Sequence, residues 1–344
     1  MMLVLTSCNN LRQAPDSNIS SPVAEIPSEV PSPTSAHEII PPTSEIPPQK
    51  TVYSPPRSFI INSQITPEMT FGQTWSDGNY TICDFTIMPD NSVLILDGMT
   101  GKIFRFGDGE LLEIYDYDLN PDYLPHKIAC DTFGNIYLVA AKHNCLITID
   151  TNGEIHFSNF NDFDLASVSE FAADENNRVA VSLYDSEIGD TKTHILNITG
   201  ETATSVNSVA GTIADTFICS PAHMKDLDDE LEYREIGHRL RIELFNLNLD
   251  SVFDVTLSSD NWILGTVCYG KNGNEYIFKL VEVDDDNNYY NSLVFVDTHG
   301  GMISRYAIPA YGTLKSFNGV LYLFSQMQTE IQISEAVSLL EQIE

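Results

Sequence analysis

The chain has 344 residues, 42% of them hydrophobic, enough for one large domain or two ordinary ones with a full core. Its 17 Lys and Arg stand against 49 Asp and Glu, a formal net charge of -32 that repels nucleic-acid phosphates and anionic lipid headgroups. No run approaches the ~20 apolar residues of a membrane-spanning helix, so the composition argues against nucleic-acid binding and against a spanning body.

In chain order the first feature is Leu5-Thr6-Ser7-Cys8, a thiol preceded by small residues. It resembles the bacterial lipobox, in which a signal peptidase cuts before a cysteine that has received a diacylglyceryl group. A lipobox normally follows a basic stretch and an apolar stretch of ~7–15 residues. Only Met1 to Leu5 stand in that place here, which puts the expected start codon upstream. From Asn9 to about residue 57 the chain is rich in Pro, Ser and Thr, as in Ile26-Pro-Ser-Glu-Val-Pro-Ser-Pro-Thr34. Such a stretch cannot bury enough apolar surface to offset ordering, and its prolines favour extended segments. The expected organisation is a signal remnant over 1–8, a disordered linker over 9–57 and a folded domain over 58–344. The lipobox resemblance implies lipidation at Cys8, a bacterial lipoprotein and a place at the cell envelope outside the cytoplasm.

From residue 58 onward short alternating strands recur with turn signals between them, and the class is all-β. One turn type recurs in Phe85-Thr-Ile-Met-Pro-Asp90-Asn-Ser-Val-Leu-Ile-Leu96 and in Ile128-Ala-Cys-Asp131-Thr-Phe-Gly134-Asn-Ile-Tyr-Leu-Val139. Further copies are read at Asp174, Asp260 and Asn318-Gly319. The interval from Asp174 to Asp260 is twice the usual spacing, which places a degraded copy near Asp215-Thr-Phe-Ile-Cys219. A second turn type alternates with the first, at Gly107-Asp-Gly109, Asp150-Thr-Asn-Gly153, Thr199-Gly200 and Asp297-Thr-His-Gly300. Asp, Asn and Gly supply the positive-φ positions of tight hairpins. Two hairpins per ~43-residue unit make four strands per unit, the period of a propeller blade.

The repeat resembles the NHL and TolB-like six-bladed propellers, in which an Asp-x-x-Gly-Asn-Ile/Val-Tyr turn joins the first two strands of a blade. The resemblance implies a six-bladed β-propeller of four-stranded antiparallel blades, and it says little about activity. Ser58-Phe-Ile-Ile-Asn62 is expected to complete the last blade around Val320 to Ser334, which ties the two ends of the domain and hides open sheet edges. A seventh blade over residues 58–80 is the alternative. The tail from Ser334 to Glu344, apolar at 336, 337, 339, 340 and 343, reads as a short rim helix.

Apart from Cys8, the cysteines stand at 83, 130, 145, 219 and 268, an odd number at irregular spacing inside apolar runs, which points to core packing and not to disulfides. There is no Gly-x-Ser-x-Gly, His-Glu-x-x-His, Cys-x-x-Cys or phosphate-binding glycine loop. Asp284-Asp285-Asp286-Asn287-Asn288 lacks the alternation and glycine of a calcium loop and reads as a hairpin tip. His223 to His238 is a charged insertion, and the remaining histidines show no ligand spacing. No metal or cofactor is expected. In a propeller the loops between second and third strands and those linking blades share one face. That face is expected to hold Tyr123, His126, Lys142, His143, Tyr184, Tyr269, Lys271 and Tyr311 as ligand-binding candidates. The leading expectation is a monomeric, non-catalytic binding module with a ligand or protein partner in the envelope and contact with the membrane only through its lipid. The alternative is a propeller enzyme, a lactonase, lyase or hydrolase, with dispersed active-site residues.

Overall fold

Turn residues set the strand ends by local hydrogen bonding. The Asp131 carboxylate accepts the backbone N–H groups of Phe133, Gly134 and Asn135, each at 2.9 Å, and Gly134 takes a φ of +95°. The same closure recurs at Asp150 with Asn152 and Glu154, at Asp297 with His299 and Gly301, and at Asp284 with Asp286 and Asn288. In each the third residue after the Asp is left-handed: Gly153, Gly300 and Asn287. An Asp that captures the next amides and a residue that tolerates positive φ close the loop with no help from the rest of the protein. At Asp284 the side-chain amide and N–H of Asn288 and the hydroxyl of Tyr290 hold the carboxyl down to about 2, so this carboxylate is committed to its own hairpin.

The structure, a computed structural model, describes residues 58–62, 66, 68–69, 82–98, 100–116, 125–174, 178–186, 190–223, 238–308, 313–317, 319–326, 330–336 and 341–342. Cys8, the Pro/Ser/Thr-rich stretch, Tyr123, Tyr311 and most of the charged insertion lie outside them. The strands begin with β1 (Ser58–Asn62). Blade one is β2 (Ile82–Ile87), β3 (Val93–Asp97), β4 (Lys102–Gly107) and β5 (Glu110–Tyr115). Blade two is β6 (Pro125–Cys130), β7 (Ile136–Ala140), β8 (Cys145–Ile149) and β9 (Ile155–Phe160). Blade three is β10 (Val168–Ala173), β11 (Arg178–Asp185), β12 (Asp190–Thr199) and β13 (Thr202–Ala210). Blade four is β14 (Thr212–Ala214), β15 (Phe217–His223), β16 (Arg239–Phe245) and β17 (Ser251–Ser258). Blade five is β18 (Trp262–Asn272), β19 (Glu275–Val283), β20 (Tyr289–Asp297) and β21 (Met302–Ala307). Blade six is β22 (Thr313–Phe317), β23 (Val320–Gln326) and β24 (Glu330–Glu335), and β1 is its fourth strand, antiparallel to β24 from Ser58↔Ser334 to Asn62↔Glu330.

The core fixes the blade number, because it is divided into six clusters, one between each pair of neighbouring blades. Val93 and Ile95 pack with Phe324 and Ile331 between blades one and six, while Leu94 and Leu96 on the same strand pack with Leu138 and Ile147 between blades one and two. β3 is therefore buried on both faces, as a strand flanked by two packed layers must be. The remaining clusters join blades two and three through Tyr137 and Phe171, and blades three and four through Ile195 and Ile218. Ile242 and Phe278 join blades four and five, and Phe295 and Leu323 join blades five and six.

Two expectations are corrected by the strand order. The copy read at Asp260 is the link between β17 and β18, and the first hairpin of blade five turns at Gly273, with φ +60°. Blade four makes its first hairpin at Asp215, φ +54°, where the degraded copy is expected. The doubled interval from Asp174 to Asp260 is therefore not a count of hairpin turns; residues 224–237, between β15 and β16 of blade four, instead lengthen the distance from Asp215 to the turn at Gly273. Of the tail expected as a rim helix, Ser334 and Glu335 belong to β24 and Glu341–Gln342 form β25, paired with β21, while 337–340 and 343–344 lie outside the described residues.

Candidate functional site

The innermost strands β2, β6, β10, β14, β18 and β22 leave one edge of each blade without a strand partner, facing the central channel. Unpaired edge groups need other partners, and side chains of neighbouring blades supply them. Asp84 of β2 accepts Ile128 N–H of β6 at 3.1 Å and pairs with Lys315 of β22, which also donates to the Phe85 carbonyl at 3.2 Å. Lys127 donates to the Ser169 carbonyl of β10, and Ser182 Oγ accepts Ile213 N–H of β14 at 2.8 Å. Asp84 thus ties three blades together at the channel edge.

Between these groups and the first-hairpin turns lies a cavity of about 70 Å³, bordered by Thr86, Glu170, Asp215, Tyr269, Lys315 and Ser316 among others. Asp215 closes its turn end and accepts Gly319 N–H at 3.3 Å. Glu170 makes no hydrogen bond or ion pair with any described residue. Burial pushes its carboxyl up, Asp84 adds to the rise, and Lys127, Lys315 and Lys279 oppose it. Burial, with Glu170 second, likewise pushes the Tyr269 hydroxyl up. Ser316 Oγ is buried without a partner among the described residues. His126 at the start of β6 is held below its ordinary value by burial first and Lys127 second, with Asp84 and the Val139 and Val168 backbone opposing. A carboxyl raised in this way can give or take a proton, and an ammonium group beside it can stabilise negative charge that develops there.

The expected candidates divide between the two ends of the propeller. Lys142 and His143 are exposed in the turn between β7 and β8, and Tyr184, 64% exposed, ends β11. Tyr269 and Lys271 stand at the opposite end, because β18 runs to its turn at Gly273; Lys271 lies over the Tyr276 ring at 5.3 Å. The placement of all of them on one face is therefore corrected, and the cause is that Asp260 links two blades instead of turning a hairpin. Of the described candidates only Tyr269 borders the cavity. Sequence reasoning missed Asp84, Lys127, Glu170, Lys315 and Ser316. A signal was present: Lys127 and Glu170 both stand four residues before the Asp of a first-hairpin turn, Asp131 and Asp174.

No family model matches the chain, and no curated protein matches it. Among solved structures it is similar to a streptogramin B lyase at 9% identity, TM-score 0.43, over 83% of this chain and 98% of the other. A gluconolactonase from Xanthomonas campestris matches at 10% identity, TM-score 0.40, over 83% and 96%. A calcium-binding protein, regucalcin, from Agrobacterium tumefaciens matches at 11% identity, TM-score 0.39, over 83% and 95%. The expectation of a non-catalytic binding module is corrected on this finding: the similar structures include a lyase and a lactonase, as the alternative reading has it. The six blades themselves rest on the strand order and the six interblade clusters.

Proposed function

We propose that this propeller is an enzyme of the lactonase, lyase or hydrolase kind, with its reaction at the channel and Glu170 as the group that transfers a proton. The observation that carries the proposal is Glu170 itself: a carboxyl bordering the cavity, raised by burial and left without a partner although lysines stand close. Perturbed, unpaired groups of this kind concentrate at reacting sites. We further propose that the enzyme works at the cell envelope, lipidated at Cys8 and held off the membrane by residues 9–57. Support for that part is the Leu5-Thr6-Ser7-Cys8 pattern and the Pro/Ser/Thr-rich stretch after it.

The test is turnover of a panel of lactones, esters and substrates of β-elimination, followed chromatographically for the wild type and Glu170→Gln. A wild-type activity that falls about 10²–10⁴-fold in Glu170→Gln is expected. Activity unchanged by that substitution overturns the assignment of Glu170, and a panel without turnover overturns the enzyme.

A further inference from the structure

Two acids border the channel cavity, Glu170 and Asp215, and Lys315 is the one basic side chain among the described residues that do. Lys315 is already engaged: its ammonium pairs with Asp84 and donates to the Phe85 carbonyl. Neither acid therefore meets an uncommitted ammonium on the cavity wall. Glu170 makes no hydrogen bond or ion pair with any described residue. An acid-lined cavity whose lysine is committed elsewhere favours a cationic ligand, and the net charge of -32 draws cations toward the protein.

A second, independent observation marks the position such a group would take. Ser316, 5% exposed, borders the same cavity with a buried hydroxyl that has no partner among the described residues. A buried polar group left unpaired is destabilising, and a ligand N–H would satisfy it. Gly270, with φ +120°, brings this hydroxyl together with an acid. The point where a Cβ would stand on Gly270 lies 3.1 Å from Asp215 Oδ2 and 3.7 Å from Ser316 Oγ. The absent side chain thus leaves both oxygens bordering one small space. Asp215 also accepts Gly319 N–H at 3.3 Å, and a carboxylate accepts several hydrogen bonds at once. Tyr269, next to Gly270 in β18, borders the cavity too, and an aromatic ring beside the space favours a cation. The cavity, about 70 Å³, has room for roughly two waters at ~30 Å³ each, the size of an ammonium nitrogen and one carbon.

We propose that the substrate carries a primary ammonium group, and that Asp215 and Ser316 hold this group in the cavity while Glu170 stays available for the reaction. The proposal rests on the channel being the reacting site, and binding can be measured apart from turnover. Methylammonium and ethylammonium, the neutral analogue methanol, tetramethylammonium, which has no N–H, and calcium are titrated into the full chain at constant ionic strength. Melting temperature and, for the organic probes, saturation-transfer NMR are the readouts. Saturable binding of the two primary ammoniums is expected, with methanol, tetramethylammonium and calcium at least tenfold weaker. Asp215→Asn and, separately, Ser316→Ala weaken methylammonium binding at least tenfold, each checked for folding by circular dichroism. Ser316→Ala removes no side-chain hydrogen bond to any described residue and keeps the test open if Asp215→Asn fails to fold. Methanol or tetramethylammonium binding as tightly as methylammonium, or full binding in a folded Ser316→Ala, overturns the proposal. Calcium binding more tightly than methylammonium and lost in Asp215→Asn makes this a metal site and also overturns it. Methylammonium binding without any turnover supports this inference while sinking the enzyme; turnover of neutral esters with no ammonium binding does the reverse.

Discussion

Glu170 makes a prediction about stability as well as about chemistry. Its carboxyl is raised in the folded state, so the stability it contributes is fully present below the ordinary glutamate range and is lost as pH rises through the folded value. Glu170→Gln removes a charge that the fold disfavours, and it is expected to melt above the wild type at pH 7, with the gap closing toward pH 4. Paired thermal melts across that range check it; a lower melting temperature for Glu170→Gln at pH 7 would show that the carboxylate is held by partners. Gly211 is the second residue with a specific demand. It has φ +130°, and a Cβ there would collide with the Cys219 carbonyl in the adjoining strand. Gly211→Ala is expected to cost about 2–4 kcal/mol by denaturant unfolding, since strain and collision act together.

At the scale of elements, the inner strands are held together by charge and the outer ends by β1. Asp84 and Lys315 have side chains 5% and 13% exposed, and the pair joins blades one and six while Asp84 also holds blade two. Removing one partner of a buried pair leaves the other uncompensated, and Asp84→Ala is expected to cost about 3–5 kcal/mol. Replacing both residues, Asp84→Ala with Lys315→Met, should recover part of that loss in denaturant unfolding. β1 supplies the fourth strand of blade six, with Ile61 fully buried. Deleting residues 58–62 is expected to destabilise the domain strongly, because it opens a sheet edge and exposes Ile61, whereas deleting 9–48 leaves the melting temperature nearly unchanged. Equal, small effects would mean that closure does not depend on β1.

How much of this is legible in the sequence follows from which interactions are local. The turns at Asp131, Asp150 and Asp297 are closed by their own side chains, and they can be read directly from the sequence. Asp260 misleads because an Asp-Asn pair between strands looks the same whether it turns a hairpin or links two blades. Only the register of β18 with β19 separates the two. The channel charges are the least legible. Asp84 and Lys315 stand near opposite ends of the folded domain's sequence and meet only once the ring is closed, and no local pattern announces that.

For the whole molecule, a charge of -32 keeps anions away from most of the surface, and the channel lysines stand out against that background. Anchoring is tested in the protein as its own cells produce it: Cys8→Ser should release it from membranes, and unchanged retention on fractionation would refute lipidation there. The central claim is that six inner strands converge on a channel whose working group is a protonatable Glu170. The most direct measurement is a pH titration of that carboxyl in the intact chain by difference infrared spectroscopy, wild type against Glu170→Gln, following the protonated carbonyl stretch. The account predicts a midpoint above the ordinary glutamate range; a midpoint within or below that range would contradict it.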